Sequence, residues 1–387
     1  MRVLHVGKYY PPFAGGMEHF LADLLPALQA QGVTSAALVH HERPGRRGQW
    51  PASVDPLPIY RAPCFGRLLY APLSPAFPFW LNRILRKFRP DLLHLHLPNT
   101  SAFWVMASTA ARRLPWVVHW HADVVASLID RRLALAYRLY RPLEQRLLAA
   151  SQAIIATSPP YLDASAALAP WRERCHVIPL GLDPSRIPDP DPAAQARAAA
   201  LWGEAGFRVL AIGRLTYYKG HEILIRAAAA LPASRVLIVG TGDRRERLAT
   251  LVKSMDLGDR VVLPGFQPDT DLNALLASCD VLCLPSLERT EAFGLVLLEA
   301  MRFGKPVVVS DIAGSGTGWV VRESGHGLLT PIGDSRALAA ALGELQRDPT
   351  RRNVLGRSGV SALQEQFGIE PVAAAVAALY RRLLAAG

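Results

Sequence analysis

A chain of 387 residues, half of them apolar, is too long for one ordinary hydrophobic core and has ample material for two or three domains. No stretch approaches the ~18 uninterrupted apolar residues that a membrane-spanning helix needs, and the opening Met1-Arg-Val-Leu-His-Val-Gly7 reads as a strand with no leader architecture, so the protein is expected to stay in the cytoplasm. The formal charge of +11 invites a nucleic-acid partner, but no zinc-finger spacing, ribonucleoprotein aromatic motif or basic-region heptad accompanies it, which leaves anionic lipid or a phosphorylated ligand as the preferred partner and nucleic acid as none.

Short apolar runs alternate with longer helix-like stretches, the pattern of parallel sheets covered by helices on both faces. The first series predicts strands at Arg2 to Val6, Ser35 to His40, Leu92 to Leu97, Trp116 to His121, Ala153 to Thr157 and Val177 to Pro179, with a helix over Gly16 to Ala30. The Pro- and Asp-rich stretch Asp183 to Asp191 reads as a linker. A second series follows at Arg208 to Gly213, Val236 to Val239, Val261 to Leu263, Val281 to Leu284 and Val307 to Ser310. The expected architecture is α/β: a Rossmann-like domain over residues 1–182, a linker over 183–207, a second Rossmann-like domain over 208–370, and a helix over 371–387 packing back on the first domain. Two doubly wound domains facing across a cleft bind ligands at the carboxyl ends of their strands.

Several candidate sites fall at such strand ends. Gly15-Gly16 follows the first strand and lets backbone N–H groups approach an anion, although a glycine pair is as often only a turn. His119-Trp-His121-Ala-Asp123 gathers titratable groups at the end of another strand. Zinc is the rival reading there, and the lack of a further ligand nearby in sequence weighs against it. In Gly213-Arg214-Leu-Thr-Tyr-Tyr-Lys219-Gly220 the planar fork of Arg214 and the point charge of Lys219 suit a diphosphate near a helix N-terminus, with a solvated loop as the plainer alternative. Val239-Gly240-Thr-Gly242 adds a tight strand end without the full dinucleotide fingerprint.

The most informative stretch is Glu291-Ala-Phe-Gly294-Leu-Val-Leu-Leu-Glu299-Ala-Met301, two carboxylates at the mouth of an otherwise apolar helix. An ionised Glu299 there needs hydrogen-bond donors. A sugar diol supplies two, and a buried salt bridge with an arginine elsewhere serves equally well from the helix alone. The segment Arg131 to Arg146 interleaves arginine with Leu and Tyr, as an interfacial helix does and as a helix with a solvated arginine face also does. Cys64, Cys175, Cys279 and Cys283 show no metal or disulfide framework. Two Asp-x-Asp triplets are set aside as metal motifs: Asp189-Pro-Asp191 lies in the linker, and Asp269-Thr-Asp271 precedes a helix over Leu272 to Ser278, where it serves as a cap.

Taken in order, Gly15-Gly16, Gly213-Arg214, Lys219-Gly220, Leu284-Pro-Ser286, Glu291-Ala-Phe-Gly294, Leu298-Glu-Ala-Met301 and Gly304-Lys-Pro-Val-Val308 resemble the retaining nucleotide-sugar glycosyltransferases of family 4, with their two-domain GT-B fold. The resemblance spans nearly the whole chain. It implies that Arg214 and Lys219 hold the donor diphosphate, Glu299 the ribose hydroxyls, and Glu291 with the Phe293-Gly294 backbone the transferred sugar and phosphates. Gly16 and Leu295 complete the donor contacts it implies, and His121 matches the active-site histidine beside sugar and acceptor. The chain departs from the common pattern at Gly240-Thr-Gly-Asp-Arg244 and Arg322-Glu-Ser-Gly325.

The wording of Leu4-His-Val-Gly-Lys-Tyr-Tyr-Pro-Pro12 and His119-Trp-His-Ala-Asp-Val124 is similar to bacterial mannosyl- and rhamnosyltransferases of surface-polysaccharide assembly. The implied activity is metal-independent, retaining transfer of a hexose from a nucleotide-diphosphate sugar, a co-substrate with no resident cofactor, to a lipid-linked or saccharide acceptor. Basic residues around Arg83, Arg86 and Lys87, with those from Arg131 to Arg146, would hold the enzyme on the inner face of the cytoplasmic membrane. A nucleotide-sugar 2-epimerase of the same fold and a basic membrane- or nucleic-acid-binding module are the alternative readings.

Overall fold

The structure, a computed structural model, describes residues 1–13, 15–51, 56–68, 71–124, 131–204 and 206–385. The chain forms two units, Met1–Gly181 with Ile369–Gly387 and Leu182–Gly368. Residues 386 and 387, included in the expected last helix, lie outside the described residues.

The first unit is built on β1 (Arg2–Val6), β2 (Thr34–His40), β3 (Ile59–Ala62), β4 (Leu92–Leu97), β5 (Trp116–Trp120), β6 (Ala153–Ala156) and β7 (Cys175–Val177). They form one parallel sheet in the order β3-β2-β1-β4-β5-β6-β7. All six residues of β4 are buried, as a strand covered on both faces requires. Its alternation Leu-Leu-His-Leu-His-Leu sends Leu93, Leu95 and Leu97 to one face and His94 and His96 to the other. The register places His5 of β1 beside His94 and His119 of β5 beside His96.

Helix α1 (Gly16–Ala30) buries Phe20, Leu21, Leu24, Leu25 and Leu28, the i, i+4 and i+7 positions of an amphipathic helix. Its end meets the last helix, Ile369–Ala385, where Arg381 Nη2 donates to Gln31 O at 2.7 Å. Helix α2 (Phe77–Phe88) sinks Phe77, Trp80, Leu81, Ile84, Leu85 and Phe88, leaving Arg83, Arg86 and Lys87 exposed. Helix α3 (Arg131–Ala150) follows; the side chains of 131–134 lie outside the description.

In the second unit β8 (Phe207–Ile212), β9 (Ser234–Val239), β10 (Val261–Gly265), β11 (Val281–Leu284), β12 (Val307–Ser310) and β13 (Gly327–Thr330) pair in parallel in the order β10-β9-β8-β11-β12-β13. In each sheet the order in which strands are added reverses once, between β1 and β4 and between β8 and β11, and such a switch point opens a crevice at the strands' carboxyl ends. The core of this unit fills with Val209, Ala211, Leu224, Ile225, Val236, Ile238, Val281 and Val308. Residues 192–202, within the stretch read as linker, form helix α4 (Pro192–Trp202), whose Trp202 is fully buried.

Both Asp-x-Asp triplets have structural employment. Asp191 Oδ1 caps α4 by accepting from Ala194 N at 2.7 Å, and Asp189 Oδ1 pairs with Arg302 Nη2 at 3.0 Å. Helix α5 (Asp269–Ser278) begins three residues earlier than expected, with Pro268 at its N-cap and no side-chain cap. The expected capping role is therefore corrected: Asp269 and Asp271 lie in the first turn, where acidic groups suit the helix dipole, and Asp271 pairs with Arg197.

Candidate active site

At the end of β8 the backbone is pressed against its neighbours, and glycine is what permits it. Gly240, with φ +139°, would carry a Cβ only 2.0 Å from the Gly213 carbonyl oxygen. Gly220, at φ +66°, would place one 1.9 Å from the Pro285 carbonyl oxygen. The loop from Gly213 to Gly220 therefore lies directly on the segment leaving β11, and Leu287 N donates to Tyr218 O at 2.7 Å.

That apposition brings Lys219 Nζ to 2.5 Å from Glu291 Oε2, with only 12% and 11% of the two side chains exposed. Ser286 Oγ donates to the same carboxylate oxygen at 3.2 Å. Burial works against the Lys219 charge, but the Glu291 carboxylate and the Tyr218 hydroxyl together more than offset this and hold the ammonium pKa above its usual value. Arg214 stays exposed, donating from Nη2 to Tyr218 Oη at 3.2 Å. One buried cation and one open cation thus stand at the same strand end. His221 lies beside them, its pKa lowered to about 4, first by burial and then by the Lys219 charge.

Glu291 is held from the other side by helix α6 (Leu295–Arg302) and helix α7 (Gly316–Ser324). Ser315, the N-cap of α7, donates through Oγ to the Glu291 carbonyl, and Gly316 N donates to Ala292 O at 2.7 Å. Gly294 caps α6 at φ +77°, where a Cβ would come within 3.1 Å of Thr317 Cγ2 and 3.2 Å of Leu284 Cδ2. Phe293 is buried edge-on to Phe367, and Leu295 is buried beside it in sequence. Leu295, Leu297, Leu298, Ala300 and Met301 are buried on α6, while Val296, Glu299 and Arg302 make a partly open stripe. Glu299 is therefore less enclosed than the apolar sequence around it implies. Its Oε1 lies 4.0 Å from Arg186 Nη2, so the salt-bridge reading finds a partner at the outer limit of contact.

The first unit offers a different surface. Gly15 precedes α1 in an extended conformation, and Gly16 is exposed at its start. His121 follows β5, its N donating to Leu97 O at 3.0 Å. Its ring stacks on His119 with centroids 4.3 Å apart, and Phe20 of α1 stands edge-on to both. The expected His-x-His-x-Asp grouping is corrected. Asp123 accepts from Trp120 Nε1 at 2.8 Å and from Ser165 Oγ at 2.7 Å, whereas His96 joins His119 and His121 from the neighbouring strand. His5 and His94 extend the cluster, which sequence spacing does not reveal because the five residues come from three strands. Burial lowers all five imidazole pKa values, that of His96 to about 3, and neighbouring imidazoles add to the effect at His5, His94, His119 and His121.

Two parallel sheets with single switch points define a GT-B type fold, and the comparisons agree. The chain superposes over its full length on sucrose-phosphate synthase from Thermosynechococcus elongatus, with a TM-score of 0.79 at 26% identity and complete coverage of that chain. Residues 194–361 match the family described as glycosyl transferases group 1, and residues 15–181 match the glycosyl transferase 4-like domain. The O-antigen chain mannosyltransferase C of Escherichia coli is 32% identical over 99% of both chains. A D-rhamnosyltransferase of Pseudomonas aeruginosa is 30% identical over 95% of this chain and 92% of its own. The protein belongs to the GT4-like glycosyltransferases of group 1, and it is an enzyme related to the mannosyl- and rhamnosyltransferases of surface-polysaccharide synthesis.

Proposed function

We propose that the enzyme transfers a mannose- or rhamnose-like hexose from a nucleotide-diphosphate sugar to a lipid-linked or saccharide acceptor, with retention of anomeric configuration and without a metal ion. The observation that carries this reading is the Arg214, Lys219 and Glu291 constellation at the switch point of the second sheet. Lys219 is held charged and nearly fixed, and Arg214 offers an open planar fork, an arrangement suited to the negative charge that a departing diphosphate gains. Ser315 and Gly294 present the Glu291-to-Leu295 backbone at the start of α6, where unpaired N–H groups favour an anion. Glu299 takes the ribose hydroxyls and His121 hydrogen-bonds the transferred sugar. With no covalent nucleophile assigned, the leaving diphosphate itself helps to deprotonate the acceptor hydroxyl on the same face.

Support for the sugar comes from the relatives, whose names specify mannosyl and D-rhamnosyl transfer. An Anabaena protein of the same fold was solved with UDP-glucose. The test is incubation with a panel of nucleotide-diphosphate sugars in chelator, with and without saccharide acceptors, and the product anomer read by NMR. Retained configuration and full activity in chelator are expected. Sugar released from donor alone would favour the epimerase.

Membrane association belongs to the same reading. Leu135, Leu139 and Leu143 are 63%, 77% and 39% exposed along one side of α3, interleaved with exposed Arg138, Arg141 and Arg146. On α2 the exposed Phe79 accompanies Arg83, whose guanidinium lies 4.5 Å from the Trp50 ring centroid. Each basic residue near an anionic surface contributes about 1 kcal/mol. Among the described residues no helix is long and apolar enough to cross a membrane, so docking would be peripheral. Co-sedimentation with anionic but not neutral vesicles, weakened by salt, is the expected result.

A further inference from the structure

Lys219 and Arg214 stand at the same strand end, but different chemistry holds them. Lys219 pairs with the Glu291 carboxylate, and its chain runs past Gly213, where a Cβ would lie 3.1 Å from Lys219 Cε. Arg214 is exposed, and among the described residues its guanidinium makes one hydrogen bond, from Nη2 to Tyr218 Oη at 3.2 Å. An exposed arginine samples many rotamers, and fixing it in a complex costs free energy. A tether made before the ligand arrives reduces that cost.

Tyr218 is itself fixed. It lies in the short 3-10 turn Tyr217–Lys219, which Gly220 closes in the left-handed region at φ +66°, and its carbonyl accepts from Leu287 N at 2.7 Å. Its half-buried ring has its centroid 5.8 Å from Lys219 Nζ, within reach of a cation–π attraction. One side chain therefore touches both cations. The adjacent Tyr217 does not share this role: it is 45% exposed, and its ring centroid lies 5.8 Å from Arg244 Cζ.

The kind of partner decides what Arg214 can still do. A carboxylate would hold the guanidinium more tightly but would offset its charge, as Glu291 does for Lys219. A phenol hydroxyl accepts one N–H as a neutral group and leaves the rest of the planar fork to meet phosphate oxygens. We infer that Tyr218 is a positioning residue of the donor site, which holds Arg214 in place for a diphosphate without cancelling its charge. That role rests on the diphosphate reading proposed above for Arg214.

The experiment is calorimetric titration of the full chain with ADP, GDP and UDP, carried on with whichever binds the wild type most tightly. Wild type, Tyr218→Phe, Arg214→Ala and the double variant form a cycle, and the corresponding nucleoside, followed by ligand-observed NMR, is the second arm. Tyr218→Phe keeps the ring near Lys219 and the backbone bond to Leu287, so its melting transition should match the wild type. It should weaken diphosphate binding about threefold, the scale of one exposed hydrogen bond, and leave nucleoside binding unchanged. In the Arg214→Ala background the same change should do nothing, because its effect passes through the guanidinium. Equal diphosphate affinity in Tyr218→Phe and wild type would overturn the inference. So would an undiminished loss in the Arg214→Ala background, which puts the hydroxyl on the ligand itself, or an equal loss with the nucleoside, which makes Tyr218 a structural support. If Arg214→Ala binds diphosphate like wild type, the diphosphate reading of the site fails, and the role of Tyr218 with it.

Discussion

The two sheets share one strand order and put opposite chemistry at their strand ends. The first gathers five neutral imidazoles, every one driven below its ordinary pKa by burial. The second gathers charges, with Lys219 and Glu291 in contact and Arg214 open beside them. The scaffold therefore dictates where a site forms and leaves its chemistry to a few residues. Of the five only His121 has any exposure, 7%; a neutral hydrogen-bonding group there suits sugar hydroxyls, while a charged strand end suits a diphosphate.

The comparison breaks most sharply at Lys219. Lys219→Ala removes the positive charge proposed to meet the leaving group and should lower turnover about 10²- to 10³-fold. It also leaves Glu291 buried without its partner, so it should cost about 3 kcal/mol of stability, read from urea unfolding. Pairing it with Glu291→Gln should recover most of that stability and none of the activity. Arg214→Ala tests the same charge without the burial: diphosphate affinity should fall while the melting transition stays at its wild-type position.

Acid should weaken the imidazole face selectively. The folded-state pKa of His96 is about 3 against an ordinary value of 6.5, so between those values the unfolded chain binds the proton first. Stability is then fully present above about pH 6.5 and is lost as pH falls toward 3, by up to about 1.4 kcal/mol per pH unit for each such histidine. The slope of unfolding free energy against pH checks this, and His94→Phe with His119→Phe should flatten it. A smaller effect is expected from Glu299→Gln, about tenfold in donor affinity with turnover little changed, because one acceptor proposed for the ribose is lost. Glu291→Gln should show the reverse pattern, and steady-state constants for the pair separate the two carboxylates.

Much of the second site is legible in the chain because its members lie in short contiguous motifs. Gly213 to Gly220 and Glu291 to Glu299 each carry their own loop chemistry, and only the Lys219–Glu291 contact has to be supplied by folding. The first site is distributed instead. His5, His94, His96, His119 and His121 come from three strands, so their meeting depends on the register of β1, β4 and β5. The Tyr380 hydroxyl that pairs with His94 Nδ1 arrives from 286 residues away.

Two strands of the parallel sheets also escape a reading by pattern. Ile59–Ala62 is a four-residue edge strand. Gly327–Thr330 opens with a glycine whose Cβ would lie 2.3 Å from the Val307 carbonyl oxygen. Close backbone approach there requires the residue that a propensity argument counts against a strand. At the end of the first series, Cys175–Val177 forms the strand expected over Val177 to Pro179, since Pro179 has no N–H to give to a ladder.

The charged strand end as a metal-free diphosphate site is tested most directly by calorimetric titration of a nucleoside diphosphate in excess chelator, using wild type and Arg214→Ala. One-to-one binding that chelator leaves unchanged, and that weakens at least tenfold in a variant with wild-type melting, is the predicted result. Binding that disappears with chelator, or that is equal in the two proteins, would contradict it.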